Sequence, residues 1–442
     1  MRPPPAEAPR AKPQVGAAVH LAPAGPRVVA AQAKCHAKTE NRKGCNLGSE
    51  VGGTPTQERP GKPYLKDLFL AFLRLGATAF GGPTMVAYIG ELSVKRHKWL
   101  DQEAFKNGVA LAQSIPGATA IQVAAYVGLR TRGIIGGLAT YVGFGLPAFM
   151  LMLILSWAYI RAGNLPWVVS LFAGLQVIVV AIIANATYTF GKGALKGYLD
   201  AILAVAAASG FWLGVSPFYV ILGAAAFGIV LFRIKQSPAP MGNARFPPLA
   251  ARSILVLCFA GLAGVVFLYI VDKKLFDLAT LMLKIDLFAF GGGFASIPLM
   301  LQQVVNVRAW MDHKTFMDGI ALGQVTPGPI VITSTFVGYL VSGLSGAITA
   351  TIAIFTPSFL LLVIGTTFFD KLQQSSLFQR ALHGILASFV GLLLYVTVKF
   401  AFAVPWNVLT VLVCAAALGA LLKKIDILYV VCIGAALSIA LF

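Results

Sequence analysis

The sequence predicts an all-α, polytopic membrane protein built from two tandem six-segment helical repeats with interrupted helices, the second copy inverted relative to the first. Three observations carry this: an apolar composition arranged in long runs, a chain that aligns with itself at a shift of 210 or 211 residues, and matched glycine and proline breaks in both copies.

Hydrophobic residues make up 58% of the chain and charged residues 12%, with a mean hydropathy of +0.80. A soluble domain needs more polar surface than this. The apolar residues fall in continuous runs of about 20, enough to cross roughly 30 Å of hydrocarbon as helix. Continuity argues against a barrel, whose strands alternate. A lipid bilayer is therefore the first expected partner.

Six segments occupy roughly 65–92, 104–128, 133–160, 166–190, 198–213 and 216–232. The proline-bearing stretch Arg233–Arg252 reads as a central loop. A linking span follows at about 253–271. Six more segments lie near 277–304, 316–341, 344–369, 377–401, 405–421 and 425–441. The implied organisation is a basic tail at 1–63, a first transporter repeat at 64–232, a loop and linking helix at 233–276, and a second repeat at 277–442. The tail has almost no large apolar residues and is expected to be disordered. It reads as a cytoplasmic tail, with an organelle transit peptide as the alternative.

The net charge of +19 does not point to nucleic acid. Basic residues in cytoplasmic loops hold a multispan chain in orientation, and most of the excess lies in such loops if the N-terminus is inside. Lys95, Arg96 and Lys98 are the exception under strict alternation, unless the segment before them is a re-entrant hairpin. Cys258, Cys414 and Cys432 lie in apolar spans, and Cys35 and Cys45 with His36 lack the ligand number and spacing of a metal site. No cofactor, metal centre, Walker motif or catalytic constellation is expected, so an enzyme is not the favoured class.

In the repeat, Trp99, Asp101, Phe105, Gly108, Ala110, Leu111, Gln113, Pro116 and Gly117 match Trp310, Asp312, Phe316, Gly319, Ala321, Leu322, Gln324, Pro327 and Gly328. An even number of crossings per copy plus one linking span turns the second copy over, the architecture of many secondary transporters.

Two matched breaks mark the expected substrate site. One is Phe80-Gly81-Gly82-Pro83 with Phe290-Gly291-Gly292-Gly293. The other is Gln113 through Pro116-Gly117 with Gln324, Thr326, Pro327, Gly328 and Pro329. Irregular backbone at membrane depth must line protein or water. Pro116 and Pro327 are expected in the first turn of half-helices, whose free N–H groups and positive dipole ends suit an oxyanion. The alternative is that the glycines only permit close helix packing. Arg74 and Lys284, each six residues or so before a Gly-Gly, can neutralise an anion or snorkel to the surface. Glu91 and Asp286 are the candidates for carrying a coupled proton, though Asp286 can also pair with Lys284. Thr333, Ser334 and Thr335 are neutral donors or helix–helix glue.

The paired FGGP/FGGG breaks, each followed by a Trp-x-Asp turn and a Gln-x-x-Pro-Gly element, resemble the chromate ion transporter family in its long, two-repeat form. Phe288–Pro298 and the run from Gly319 to Leu340 are especially close, and the likeness extends over about 64–442. The resemblance implies an inner-membrane carrier exporting chromate, with sulfate or another oxyanion as the alternative cargo. The distribution of basic residues leaves no nucleic-acid partner expected, and the sequence is compatible with a homodimer. One departure stands out: Ala118 occupies the position where the family's first-repeat element usually has a second proline.

Overall fold

The structure is a computed structural model, and it describes residues 63–80, 83–163, 165–232 and 251–441. The expected tail with Cys35 and Cys45, the residues Gly81 and Gly82, and all but the end of the central loop lie outside these. Among the described residues there are helices and no strands, as the composition requires.

The first repeat contains α1 (Leu65–Thr78), α2 (Pro83–Gly90, continued by a π-helical turn, Glu91–Arg96), α3 (Gln102–Ser114), α4 (Thr119–Ala162), α5 (Pro166–Ala194), α6 (Tyr198–Trp212) and α7 (Pro217–Leu231). The linking helix is α8 (Ala251–Val271). The second repeat has the same order: α9 (Lys273–Phe288), α10 (Ser296–Met300, continued by a π-helical turn, Leu301–Val307), α11 (His313–Val325), α12 (Thr333–Gln374), α13 (Ser376–Ala403), α14 (Val408–Leu422) and α15 (Ile427–Leu441). The matched Trp-x-Asp turns have a local purpose. Asp101 accepts a hydrogen bond from the Ala104 N–H (2.7 Å) and Asp312 from the Thr315 N–H (2.8 Å), so each caps the helix that leads to a break.

The two longest helices are folded back on themselves. α4 leaves helical geometry at Arg132 and Gly133, and α12 at Ser342 and Gly343, with positive φ at both glycines. Across the first turn Gly128 and Gly136 lie backbone to backbone, and across the second Gly338 and Gly346 do the same. Residues eight apart in a straight helix would be about 12 Å apart along the axis. Each turn is therefore a hairpin, as the segment boundary near 128–133 anticipated.

The first two segments of each repeat are also hairpins rather than single rods. Gly108 of α3 packs on the Tyr126 ring, and Gly319 of α11 on the Phe336 ring, so each chain reverses at its Pro-Gly element. In the second repeat Arg308, after the π turn, forms an ion pair with Asp277 near the start of α9 (2.8 Å). In the first repeat the return to α1 is marked by a different contact, Phe72 stacked on Trp99 (6.4 Å between centroids). Glycine and proline at the tips explain why these apolar segments fold back.

Among the described residues five helices are long and apolar enough to cross a membrane: Thr119–Ala162, Pro166–Ala194, Ile254–Val271, Ile330–Thr366 and Ser376–Ala403. The protein is a multi-pass membrane protein. The arm 134–162 is roughly 43 Å long at 1.5 Å per residue, with Pro147 at its middle. α1 runs beside it: Arg132 Nε donates to the Pro63 carbonyl (2.6 Å) at one end, and Gly76 packs on the Phe144 backbone near the other. α9 lies likewise beside the second arm of α12, from Lys274 Nζ on the Val341 carbonyl (2.6 Å) to Asp286 on Ser358. The tips of α1 and α9 thus reach the middle of the two long arms.

Candidate functional site

At that middle level the breaks of the two repeats meet. The Gly117 N–H donates to the Ala289 carbonyl (2.9 Å), and the Gly328 N–H donates to the Ala79 carbonyl (3.1 Å). Ala79 and Ala289 immediately precede Phe80 and Phe290. Each Pro-Gly element is therefore tied to the other repeat's Phe-Gly-Gly element, in a reciprocal pair. The glycines are required here. Gly117 and Gly328 have φ of 113° and 106°. A side chain on Gly117 would run into Ser358, and one on Gly328 would come within 2.9 Å of Ala148.

The expectation that Pro116 and Pro327 occupy a first helical turn is not met. Both are buried in the linkers, and the helices begin later, at Thr119 and Ile330. The reason is steric: a proline disfavours helical geometry in the residue before it. Ile115 (φ −109°, ψ 155°) and Thr326 (φ −78°, ψ 139°) are extended, so the prolines end α3 and α11 instead of starting their successors. The helix starts remain at the site. Their first-turn N–H groups have no partner within the helix. A Cβ on Gly292 would lie 3.6 Å from Thr119 Oγ1, and one on Gly293 2.9 Å from the Ile330 side chain. The 290–293 segment thus lies against both helix starts.

The remaining predicted residues divide. Phe80 and Phe290 are half-buried, and Pro329 is buried beside Ile330. The Thr326 hydroxyl bonds back to the Gly323 carbonyl (2.9 Å). Gln113 is exposed, whereas Gln324 keeps a buried Nε2 with no hydrogen-bond partner among the described residues. Arg74 and Lys284 are exposed, and neither has a carboxylate partner among the described residues. Glu91 is partly exposed and pairs with Lys95 (2.7 Å). Asp286 does not pair with Lys284. Residues two apart on a helix face opposite ways, and Asp286 turns inward to accept from the Ser358 N–H (2.7 Å) and hydroxyl (2.6 Å). Its second oxygen is buried without a partner among the described residues.

Four polar residues beside the breaks escaped the motif reading. Ser358 donates to Asp286 and packs against Gly117. Gln122, fully buried, donates from Nε2 to the Pro116 carbonyl (2.6 Å) and holds the first linker. Tyr141 donates to the Phe355 carbonyl (2.7 Å), joining the long arms of the two repeats. Asp318, buried in α11, accepts from Tyr159 and Gln176, each at 2.8 Å. One signal could have found one of these contacts, that of Ser358 with Asp286: at a shift of 210, Asp286 faces Gly76 and Ser358 faces Ala148. The polar pair occurs where the repeats differ, not where they agree.

The pattern of the chromate transporter family matches residues 66–229 and again 276–439, so both halves carry it. The chain belongs to the chromate transporter family. An uncharacterized transporter of Methanocaldococcus jannaschii is 45% identical over 376 residues, 85% of this chain and 94% of its own. A chromate transport protein of Cupriavidus metallidurans is 31% identical over 337 residues, 74% of this chain and 80% of its own. A chromate transport protein of Pseudomonas aeruginosa is 29% identical over 372 residues, 80% of this chain and 85% of its own. No solved structure matches the chain. In this chromate transporter family member each matched stretch contains one Phe-Gly-Gly and one Pro-Gly element, so the reciprocal contact joins the two family units.

Proposed function

We propose that this transporter exports chromate from the cytoplasm across the plasma (inner) membrane and so confers chromate resistance. The observation that carries the reading is the reciprocal contact of Gly117 with Ala289 and of Gly328 with Ala79. It gathers two helix starts and the 290–293 segment at mid-depth. Such a place offers a dianion backbone N–H donors without a full counter-charge.

The topology proposed with it has a cytoplasmic N-terminus and inverted repeats. Two hairpins per repeat replace two crossings, so the crossing count stays even and α8 still turns the second copy over. Contacts along the arm 134–162 support this. Its start packs on the first repeat's hairpin at Gly128, while Tyr159, near its far end, touches Asp318 and Phe336 of the second repeat's hairpin. The re-entrant first hairpin also returns Lys95, Arg96 and Lys98 to the cytoplasmic side, while the matching hairpin of the inverted second repeat leaves Lys314 and Arg308, the latter paired with Asp277, on the outer side.

Export of a dianion from an interior-negative cell is favoured by about 2.3 kcal/mol per charge per 100 mV. The energetics therefore do not demand a coupled proton. Of the two acids considered for one, Asp286 is buried between the repeats and Glu91 is held by Lys95.

The test is chromate accumulation in cells expressing the wild-type chain, Gly292→Leu or Pro327→Ala. Gly292 has φ of 99° and ψ of −172°, a region essentially confined to glycine. Lower accumulation with the wild type, lost in variants that reach the membrane, is the expected result. Equal accumulation in all three would remove chromate efflux, and a sulfate uptake assay would then decide the cargo.

A further inference from the structure

Between α7 of the first repeat and α9 of the second lies a cavity of about 280 Å³, lined by Ser216, Phe218, Tyr219, Lys284, Phe288 and Gln303. We propose that it is a second binding site for the divalent tetrahedral oxyanion, an approach site on one side of the paired breaks. The proposal rests on the transport reading above and adds residues that the matched motifs do not contain.

The first argument is depth. Lys284 stands two residues before Asp286, which is fixed to Ser358 at the middle of the α12 arm. An ammonium so far from either surface is costly unless it meets water or an anion. Lys284 is exposed and has no carboxylate partner among the described residues; its Nζ lies 5.3 Å from the Phe218 ring centroid, at the cavity wall. The cavity is its access to water. At ~30 Å³ per water, the volume holds an oxyanion with part of its hydration shell.

The second argument is the orientation of Gln303. Its Oε1 accepts from Arg308 (2.8 Å), and Arg308 is itself held by both oxygens of Asp277 (2.9 and 2.8 Å). The amide cannot flip without losing that bond, so its NH₂ group, a donor of two hydrogens, is what remains for the cavity. The hydroxyls of Ser216 and Tyr219 add two more donors. Ser216 is also the N-cap of α7, which brings the positive end of that helix to the same wall.

The third argument is contrast. The corresponding cavity of the first repeat, about 200 Å³, is lined by Leu75, Thr78, Tyr88, Glu91, Leu92 and Arg96. Its lining holds one carboxylate, Glu91, which is already paired with Lys95, and one cation, Arg96, whereas the α7–α9 cavity has a cation and no carboxylate. The second cavity carries the net positive lining, so the two approaches to the breaks are unequal.

The experiment uses the full chain in proteoliposomes, with chromate transport measured against concentration, and labelled sulfate and chromate binding measured on the purified protein. Lys284→Met and Gln303→Leu should each raise the half-saturation concentration roughly tenfold or more, as loss of a bond to a charged group does, while the maximal rate is largely kept. Lys284→Arg should retain near wild-type half-saturation, which shows that charge and not folding is at issue. Gly292→Leu should instead lose the maximal rate. Unchanged half-saturation in both Lys284→Met and Gln303→Leu, with an active wild type, overturns the site and leaves the transport reading standing. A wild type that binds sulfate but not chromate, with sulfate binding weakened by these substitutions, upholds the site and sinks the chromate reading. Binding of neither anion overturns both.

Discussion

Gly117 shows how closely single residues are specified at the breaks. Its φ of 113° excludes ordinary side chains, and the Ser358 hydroxyl fills the place where a Cβ would go. Gly117→Ala is expected to lower chromate transport to near background and to destabilise the protein by about 1–3 kcal/mol. Detergent-solubilised melting and vesicle uptake measure the two effects. Normal uptake would show that the linker relaxes and that the reciprocal contact is dispensable. Ser358→Ala tests the polar side of the same contact. It removes the shorter of the two hydrogen bonds to Asp286 Oδ2, a loss of about 1–3 kcal/mol where the acceptor is buried. A double variant with Asp286→Asn should be less than additive, because the two residues act as one unit. The glycines were legible in the sequence, because glycine and proline report their own backbone geometry. The Asp286–Ser358 contact was not, because 72 residues separate the partners and nothing local marks their meeting.

Among the helical elements, hydropathy identified the segments but not their paths. A segment that enters and returns is as apolar as one that crosses, so 65–92 and 104–128 read as single spans. Only the tip chemistry told them apart, and half of that signal was assigned to the wrong side of the break: Pro116 and Pro327 close α3 and α11 instead of opening the next helices. The hairpins in α4 and α12 depend on small residues at their necks. Gly136 and Gly346 each face the carbonyl of a glycine eight residues earlier, with no room for a side chain. Gly136→Leu and Gly346→Leu are therefore expected to cut the folded yield strongly and to similar extents, measured by size-exclusion monodispersity of a tagged full chain. Gly419→Leu makes a useful control, since nothing lies within 4 Å of a Cβ there. If the control falls as far as the other two, neck packing is not the cause.

For the whole molecule, the decisive quantity is the relative orientation of the two repeats. Sequence identity at a shift of 210 or 211 is blind to it, since a repeat aligns equally well upright or inverted. The parity of crossings was the only sequence argument, and the proposed topology keeps it, since each repeat there loses two crossings, not one. The proposed topology places equivalent turns on opposite sides of the membrane. Ile135 follows the α4 turn and Ser345 follows the α12 turn; both are exposed and they stand 210 residues apart. Ile135→Cys and Ser345→Cys, each in a chain with its natural cysteines replaced, are expected to react with an impermeant thiol reagent from opposite sides, Ile135→Cys only after the membrane is opened. Labelling of both from one side would mean parallel repeats. The reciprocal Gly117 and Gly328 contacts would then have to arise without a two-fold axis in the membrane plane, and alternating access by rocking one repeat against the other would lose its symmetry basis.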